Sequence, residues 1–287
     1  MKAGKPLTRS ALKRFPLPAL ADGDKETKGR VLIVAGSRST PGAALLAATS
    51  AMRSGAGKLR IVSVESIATE LGIAMPESMV IGLAEARDGG FARSAVGDIK
   101  ARAAEVSAVV AGPGMARAQT CTAIATALCD SGSQLVLDAA LLRGLKPPKR
   151  PRRGPLPILL PHAGELADLL ELAKEAVEAD PVGCGRRAAE LYQAHVLVKG
   201  VVSHVVAADG SAWTFRGGAP GLGVSGSGDT LAGIVGGLLA RGAEPLTALL
   251  WGVLLHGEAG EMLARRIGPA GFLAREIPGE LPALLFR

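Results

Sequence analysis

The residues best suited to chemistry form the stretch GLGVSGSGDT, residues 221–230, which stands just before an apolar run. Glycines at the start of a helix let backbone N–H groups approach an anion, because no Cβ stands in the way. The helix N-terminus adds a partial positive charge. We therefore predict an anion hole at Gly226, Ser227 and Gly228, with the carboxylate of Asp229 at its lip. The alternative is that Asp229 only caps the helix, although a cap does not require so many glycines.

Two other phosphate-binding templates do not fit. The glycines of residues 221–226 match GxGxxG, but Pro220 precedes them and a predicted hairpin leads into them. No acid ends a following strand about twenty residues further on, as a dinucleotide-binding βαβ unit requires. The segment GAGK at residues 55–58 resembles part of a P-loop, but Leu59 takes the Ser/Thr position. Neither template explains the glycines.

The elements that position this stretch are short apolar runs that alternate with segments rich in Ala and Leu. Runs that are apolar almost throughout predict parallel strands buried on both faces. The predicted strands are 31–36, 58–64, 78–84, 108–114, 134–139, 157–161 and 195–200. Residues 203–218 predict a hairpin that turns at Asp209-Gly210. We predict one three-layer α/β/α domain over residues 1–287 with a mainly parallel central sheet, in which residues 1–27 form an N-terminal arm.

Ligands of such folds bind at the carboxyl edge of the sheet. Four glycine-containing loops are predicted to lie there and to converge on one cleft. They are AGSRSTPGA at 35–43, AGPGMA at 111–116, PHAGEL at 161–166, and residues 221–230.

Composition and charge limit the classes of function. The 287 residues are 48% hydrophobic and 3% aromatic, which is typical of a soluble α/β protein. No apolar run approaches the length of a membrane span, and residues 6–20 lack the apolar core of a signal peptide. We expect neither a membrane nor a secretory role.

The formal net charge of +7 brings polyanions into consideration as partners. Much of the surplus lies in the N-terminal arm and in the sequence KPPKRPRRG, residues 146–154. That loop has no aromatic residue on which a base could stack. A solvated, exposed connector is therefore favoured over nucleic-acid binding. Three cysteines without a CxxC pair predict reduced, buried thiols in a cytoplasmic protein.

Further motifs follow one another in a fixed order. They are KGRVLIVAGSRSTPGAALLAATSAMRSGAGKLRIVSV, MPESMV, AGPGM, VLDAALL, PHAGEL, VLVKGVVSHVVAADG, GSGDTLAGIVGGLLARG and LLHGEAGEMLARRIGPAGFLAREI. With them, the sequence from about Lys28 to the C-terminus resembles the ADP- or ATP-dependent NAD(P)H-hydrate dehydratases of the ribokinase-like superfamily. It departs from the family pattern at four residues: Ala140, Ala163, Ala219 and Ser225.

The resemblance implies a carbon–oxygen lyase that repairs hydrated NAD(P)H. Hydroxide is a poor leaving group, so a phosphoryl group is transferred from ADP or ATP to the ring hydroxyl and phosphate is then eliminated. Asp229 would accept the hydroxyl proton, while N–H groups around Ser227 and Gly228 stabilise the phosphoryl charge. The helix terminus is expected to favour ionised Asp229. The resemblance to bacterial members that lack an attached epimerase domain leads us to expect the same here and favours ADP. Mg²⁺ and a homo-oligomer, with a tetramer as one form, are further expectations.

The resemblance also implies roles for individual residues. At the hydrated nicotinamide nucleotide it places Ala43, Gly114, His162 and Asp229. At the adenine nucleotide it places Lys199, Gly200, Val201, Val202 and Ser203, together with Gly226, Ser227 and Gly228.

Several of these side chains have alternative explanations. His162 is equally compatible with a satisfied loop histidine, and Lys199 with a solvated charge, although Gly200 after it favours a phosphate contact. Asp138 ends a strand and binds Mg²⁺ through water or stabilises a turn. No residue is assigned as a direct metal ligand. His195, His204 and His256 lack zinc-site spacing and receive no role.

Two other functions stay open. One is a kinase of the same superfamily that phosphorylates a small alcohol, such as a thiazole or pyrimidine precursor, and stops there. The other is a nucleotide-binding homologue without catalysis, which the altered motifs suggest.

Overall fold

The strands form one sheet. The structure is a computed structural model that describes residues 4–19, 28–116, 119–152 and 154–285. The strands are β1 Lys5–Pro6, β2 Arg30–Val34, β3 Lys58–Val64, β4 Ser78–Leu83, β5 Ala108–Ala111, β6 Gln134–Leu137, β7 Ile158–Leu159, β8 His195–Val198, β9 Ser203–Val206 and β10 Ala212–Phe215. Their order across the sheet is β1-β10-β9-β8-β7-β6-β5-β2-β3-β4.

The sheet is mostly parallel, as predicted. Every neighbouring pair from β8 to β4 is parallel, and only β9 runs antiparallel to both of its neighbours. The central strands β5 and β7 are buried along their whole length, which explains their continuous apolar sequences. The hairpin of β9 and β10 turns where predicted, and Gly210 adopts a φ of +81° there.

Helices cover both faces of the sheet. They are α1 Arg9–Leu12, α2 Gly42–Arg53, α3 Ala68–Ala74, α4 Ala95–Ala103, α5 Thr120–Cys129, α6 Ala163–Leu170, α7 Lys174–Ala179, α8 Pro181–Tyr192, α9 Ser227–Ala240, α10 Pro245–Arg266 and α11 Ile277–Leu285. Right-handed crossovers place α2 and α3 on one face and α4, α5 and α8 on the other, because the chain reverses its direction across the sheet after β4. Helices α9, α10 and α11 join α2 on its face.

Helices α2 and α9 approach each other at the level of their backbones. A Cβ on Gly233 would stand 2.2 Å from the carbonyl oxygen of Ala47, and one on Gly237 would stand 2.4 Å from that of Ala51. Only glycine fits at these two positions of α9. This contact between α2 and α9 lies in the protein interior, since nearly all of α9 is buried.

The described part of the N-terminal arm packs on the body of the protein. β1 extends the sheet by pairing in parallel with β10, and Leu12 is fully buried. Trp251 Nε1 donates to the Phe15 carbonyl oxygen at 2.7 Å. The sequence did not predict β1, because a strand of two residues carries no periodic pattern. Residues 20–27 of the arm lie outside the described residues.

Two expectations from composition have mixed outcomes. The basic connector is exposed over most of residues 146–152, as predicted, and Arg153 lies outside the described residues. All three cysteines are free, but only Cys121 is buried, while Cys129 and Cys184 are half-buried. The prediction of buried thiols is therefore wrong for those two. Within the described ranges, no helix has the length and apolar character needed to cross a membrane.

Candidate active site

The start of α9 leaves two backbone donors available. Gly226 precedes the helix with a φ of +88°, and a Cβ there would stand 2.4 Å from Leu46 Cδ1, so this position requires glycine. Ser227 N already donates to the Val224 carbonyl oxygen at 3.2 Å. Within the described residues, no backbone acceptor outside the helix takes the N–H of Gly228 or Asp229. The available pair is thus Gly228 and Asp229, one residue later than predicted.

Asp229 is not the cap of this helix. The N-cap residue is Gly226, which has no capping side chain, and Asp229 lies in the first turn. The alternative that Asp229 serves only as an N-cap is therefore wrong. Its carboxyl group lies in the same turn as the two N–H groups for which no backbone acceptor is found among the described residues.

Burial and, second to it, the nearby carboxylate of Asp138 together raise the pKa of Asp229 to about 7, although Lys199 acts in the opposite direction. The expectation that the helix terminus would favour the ionised form is wrong in its net direction. Burial disfavours the charged carboxylate, and Lys199 offsets this effect only in part. A carboxyl group with this pKa can both take up and release a proton near neutral pH.

Asp138 and Lys199 form a partly buried ion pair at the ends of β6 and β8. Lys199 Nζ donates to Asp138 Oδ1 at 2.7 Å, and the side chains are 19% and 2% exposed. The same oxygen accepts from Ala139 N at 2.8 Å. The turn role of Asp138 is therefore present, and a solvated Lys199 is excluded. A contact between Lys199 and phosphate stays a prediction.

Gly228 connects this ion pair with the anion hole. A Cβ on Gly228 would stand 3.6 Å from Lys199 Nζ and 3.8 Å from Asp138 Oδ2. Three loops that are far apart in sequence thus meet around one small space. Of the four glycine-containing loops predicted to converge, only residues 221–230 belong to this group, since the loops after β6 and β8 were not among them.

Ala43 and Gly114 also lie together. Gly114 has a φ of +61°, and a Cβ there would stand 2.5 Å from Ala43 Cβ. Thr40 Oγ1 donates to the Gly114 carbonyl oxygen at 3.1 Å. Leu46, one turn beyond Ala43 on α2, contacts Gly226. The loops after β2 and β5 therefore form the side of the cleft that borders α9.

His162 caps α6. Its Nδ1 accepts from Gly164 N at 3.0 Å and from Glu165 N at 3.2 Å, while Glu165 Oε2 accepts from His162 N at 2.9 Å. The satisfied-histidine alternative thus describes its contacts within the chain. The ring is more than half exposed, so a ligand can still reach it.

A cavity of about 760 Å³ lies beside His162. Its lining includes His204, Arg216 and residues 198–202, and Val201 in it is fully exposed. His162 therefore borders the residues that the sequence assigned to the adenine nucleotide. Its assignment to the nicotinamide nucleotide stays a prediction.

Sequence reasoning missed His256. Its Nε2 lies 3.1 Å from both Oγ and the carbonyl oxygen of Ser227. Burial lowers the pKa of His256 to about 4, so the ring is neutral at pH 7. The available signal was a histidine in the middle of the apolar run LLHGEAG, where a polar side chain needs a buried partner.

Mg²⁺ fits this site only together with phosphate oxygens. In the described part of the chain, no group of three or more His, Cys, Asp or Glu side chains could hold a metal ion. Mg²⁺ in nucleotide enzymes is commonly held by one or two carboxylates plus the phosphates. Asp138 offers one such oxygen, because Lys199 and Ala139 engage Oδ1 while Oδ2 lies toward Gly228.

Comparisons with known proteins agree on one family. The family model of NAD(P)H-hydrate dehydratase matches residues 31–283. An ADP-dependent (S)-NAD(P)H-hydrate dehydratase of Xanthomonas campestris is 47% identical over 98% of this chain and 96% of its own length. A bifunctional NAD(P)H-hydrate repair enzyme of Moorella thermoacetica is 34% identical, and the chain spans about half of it, 51%.

Solved structures extend this likeness to the fold. The ADP/ATP-dependent NAD(P)H-hydrate dehydratase of Bacillus subtilis, co-crystallised with ATP/Mg²⁺, superposes with a TM-score of 0.84 at 27% identity, covering 99% of each chain. Ribokinase-like proteins at lower identity share the fold alone. The predicted ribokinase-like α/β/α fold is confirmed.

Proposed function

Since this chain belongs to the NAD(P)H-hydrate dehydratase family, we propose that it converts hydrated NAD(P)H back to NAD(P)H with ADP as phosphoryl donor. The observation that carries the proposal is the pairing of two available N–H groups, Gly228 and Asp229, with the carboxyl group of Asp229. The preference for ADP is supported by the name of the relative from Xanthomonas campestris.

The reaction proceeds by phosphorylation and elimination. The substrate hydroxyl oxygen attacks the β-phosphorus of ADP, the O–H proton passes to Asp229, and AMP leaves. The ring nitrogen then donates its lone pair, the carbon–oxygen bond breaks, phosphate departs, and a proton leaves the adjacent ring carbon. The N–H groups of Gly228 and Asp229 stabilise negative charge on the transferring phosphoryl group. Asp229 suits proton transfer because its pKa is about 7.

The other residues of the site divide between the two substrates in this proposal. Ala43, Gly114 and His162 contact the hydrated dinucleotide with Asp229. Residues 199–203 contact the adenine nucleotide with residues 226–228. The close approach of Ala43 to Gly114 supports the first group, and the cavity beside Val201 supports the second.

We also propose that Mg²⁺ accompanies the nucleotide and that Asp138 holds it through water. The ion would neutralise phosphate charge during transfer. Free thiols are typical of a reducing compartment, which supports a cytoplasmic location. A homo-oligomer, with a tetramer as one form, belongs to the same proposal, as does one domain across the chain, since all described strands share a sheet.

One assay tests the proposed function. The protein is mixed with Mg²⁺, hydrated NADH and either ADP or ATP, and the return of dihydronicotinamide absorbance is followed. We expect recovery with ADP and release of AMP and phosphate in equal amounts. A stable phosphomonoester product would instead identify a kinase. Binding of ADP without turnover of any hydroxyl substrate would identify a non-catalytic homologue.

A binding measurement supports the assay. ADP with Mg²⁺ should raise the melting temperature of the protein, because a ligand that binds only the folded state stabilises it. No shift with millimolar ADP or ATP would contradict a nucleotide site.

A further inference from the structure

The Ser227 carbonyl oxygen is held from two sides. Thr230 Oγ1 donates to it at 2.7 Å, and His256 Nε2 lies 3.1 Å away. A helical carbonyl ordinarily needs only the N–H four residues further on. Two additional side-chain partners on this one carbonyl are more than the helix requires.

The contact with the carbonyl oxygen indicates which tautomer His256 adopts. A carbonyl oxygen can only accept, so the hydrogen of this bond belongs to Nε2. The ring is neutral near pH 7 and has one N–H, so Nδ1 carries no hydrogen. Ser227 Oγ, also 3.1 Å from Nε2, is then a second acceptor beside the same N–H.

The geometry of the peptide bond transmits this constraint to the anion hole. The carbonyl of Ser227 and the N–H of Gly228 belong to one planar unit and point in opposite directions in a trans peptide; the described residues include no cis peptide bond. Whatever holds the carbonyl therefore also directs the N–H. Helix α10, which carries His256, packs directly on α9. This packing holds the imidazole in place against the start of α9.

We infer that His256 is a positioning residue whose Nε2–H holds the Ser227 carbonyl and thereby aims the Gly228 N–H at the phosphate of the adenine nucleotide. The inference rests on the proposed function for the identity of the ligand. Thr230 shares the task from the α9 side. Neither side chain touches the reacting atoms.

The inference gives two measurable expectations. In ¹⁵N spectra of the imidazole near pH 7, His256 should be the Nε2–H tautomer. The variant H256L loses the donor, whereas H256Q keeps an amide N–H at about the same distance from the backbone. We expect H256L to bind ADP about 10- to 100-fold more weakly, the loss typical of a disturbed hydrogen bond to a charged group, and H256Q to recover most of the affinity.

A matched control separates positioning from stability. His195 also has a pKa lowered by burial, and its Nδ1 accepts from Ala208 N at 3.3 Å, outside the cleft. H195L should lower the melting temperature without weakening the binding of ADP. Should H256L fail to fold, T230V tests the same carbonyl, with T230S as the variant that restores the donor.

Several outcomes would overturn the inference. These are an Nδ1–H tautomer, unchanged ADP affinity in folded H256L and T230V, or equal losses in H256Q and H256L. Wild-type protein that binds ADP without dehydrating hydrated NADH would refute the proposed function and leave the binding comparison decisive for His256. Wild-type protein that does not bind ADP would refute both.

Discussion

Lys199 Nζ donates to Asp138 Oδ1 at 2.7 Å, across 61 residues of sequence, at a point where the aspartate is 2% exposed. Asp138 also raises the pKa of Asp229, and Lys199 opposes that effect. The two partners of one ion pair thus act in opposite directions on the proposed catalytic carboxyl group. Changing either partner should alter both stability and proton transfer.

Removing Lys199 should destabilise the protein as well as weaken nucleotide binding. K199M leaves the Asp138 carboxylate buried without its partner, which typically costs about 3–5 kcal/mol. Denaturant unfolding measures this loss. The double variant D138N/K199M should be less destabilised than the sum of the single variants, because the two side chains share one interaction. Additive losses would show that the pair contributes no coupling.

D229N should abolish most dehydration while it leaves ADP bound. Asn lacks the carboxylate that accepts the proton, and loss of a general base costs roughly 10²- to 10⁴-fold in rate. Removal of a charge beside phosphates should keep ADP affinity equal or slightly tighter. Rates and ADP titrations on the same preparation test this. Near-normal turnover would remove Asp229 from the mechanism.

D229N should also become more stable than the wild type as pH rises. The pKa of Asp229 is raised by folding to about 7 from 3.8. Between these values the folded state holds a proton that the unfolded state releases, so the wild type loses stability as pH rises through this window. The free energy of unfolding of D229N should exceed that of the wild type by almost nothing at pH 4 and by up to about 4 kcal/mol at pH 8. Unfolding curves at both pH values measure the difference.

The dehydration rate should depend on ionised Asp229. With a pKa of about 7 in the free protein, kcat/KM should fall about tenfold per pH unit below that value and reach a plateau above it. D138N should move the midpoint to lower pH, because the Asp138 charge raises the pKa of Asp229. An unmoved midpoint in D138N would assign the profile to another group.

We expect His162 both to cap α6 and to bind the hydrated dinucleotide. Two variants separate these roles. H162A loses the acceptor that caps α6 and should cost about 1 kcal/mol of stability, whereas H162N keeps a capping side chain. Both variants lose the imidazole ring. We therefore expect both variants to weaken binding of the hydrated dinucleotide more than binding of ADP. Only H162A should be less stable than the wild type. Equal weakening of both ligands would move His162 away from the dinucleotide.

The sequence predicted the centre of the sheet well because strands such as β5 and β7 are buried along their whole length. Such strands contain no polar residue, so an apolar run marks each of them. The ends were less accurate: the run at 108–114 becomes a strand that stops at Ala111. Gly112 turns away with a φ of +118°, where a Cβ would stand 1.8 Å from the Asp138 carbonyl oxygen. Long-range packing set that boundary, and a local pattern does not contain it.

The sequence predicted the glycines and the aspartate of the candidate site, but it did not predict the side chains that contact them. Asp229 and the glycines before it form one continuous motif, so their type and spacing were visible. The ionisation of Asp229 depends on burial and on Asp138, and the contact of His256 with Ser227 joins two helices 29 residues apart. Such effects arise only when the chain is folded. Hence residue types at the site were foreseen, whereas the direction of the pKa shift was not.

Helices α2 and α9 start at the two sides of the cleft, with Ala43 near the beginning of one and Asp229 in the first turn of the other. Gly233 and Gly237 bring their backbones together without an intervening side chain, so there is no rotamer whose change could let one helix slide along the other. Backbone packing therefore sets the distance between Ala43 and Asp229 across the cleft. We therefore expect any opening of the site to occur in the loops before these helices, and attempts to change its substrate should vary residues 37–41 while retaining both glycines.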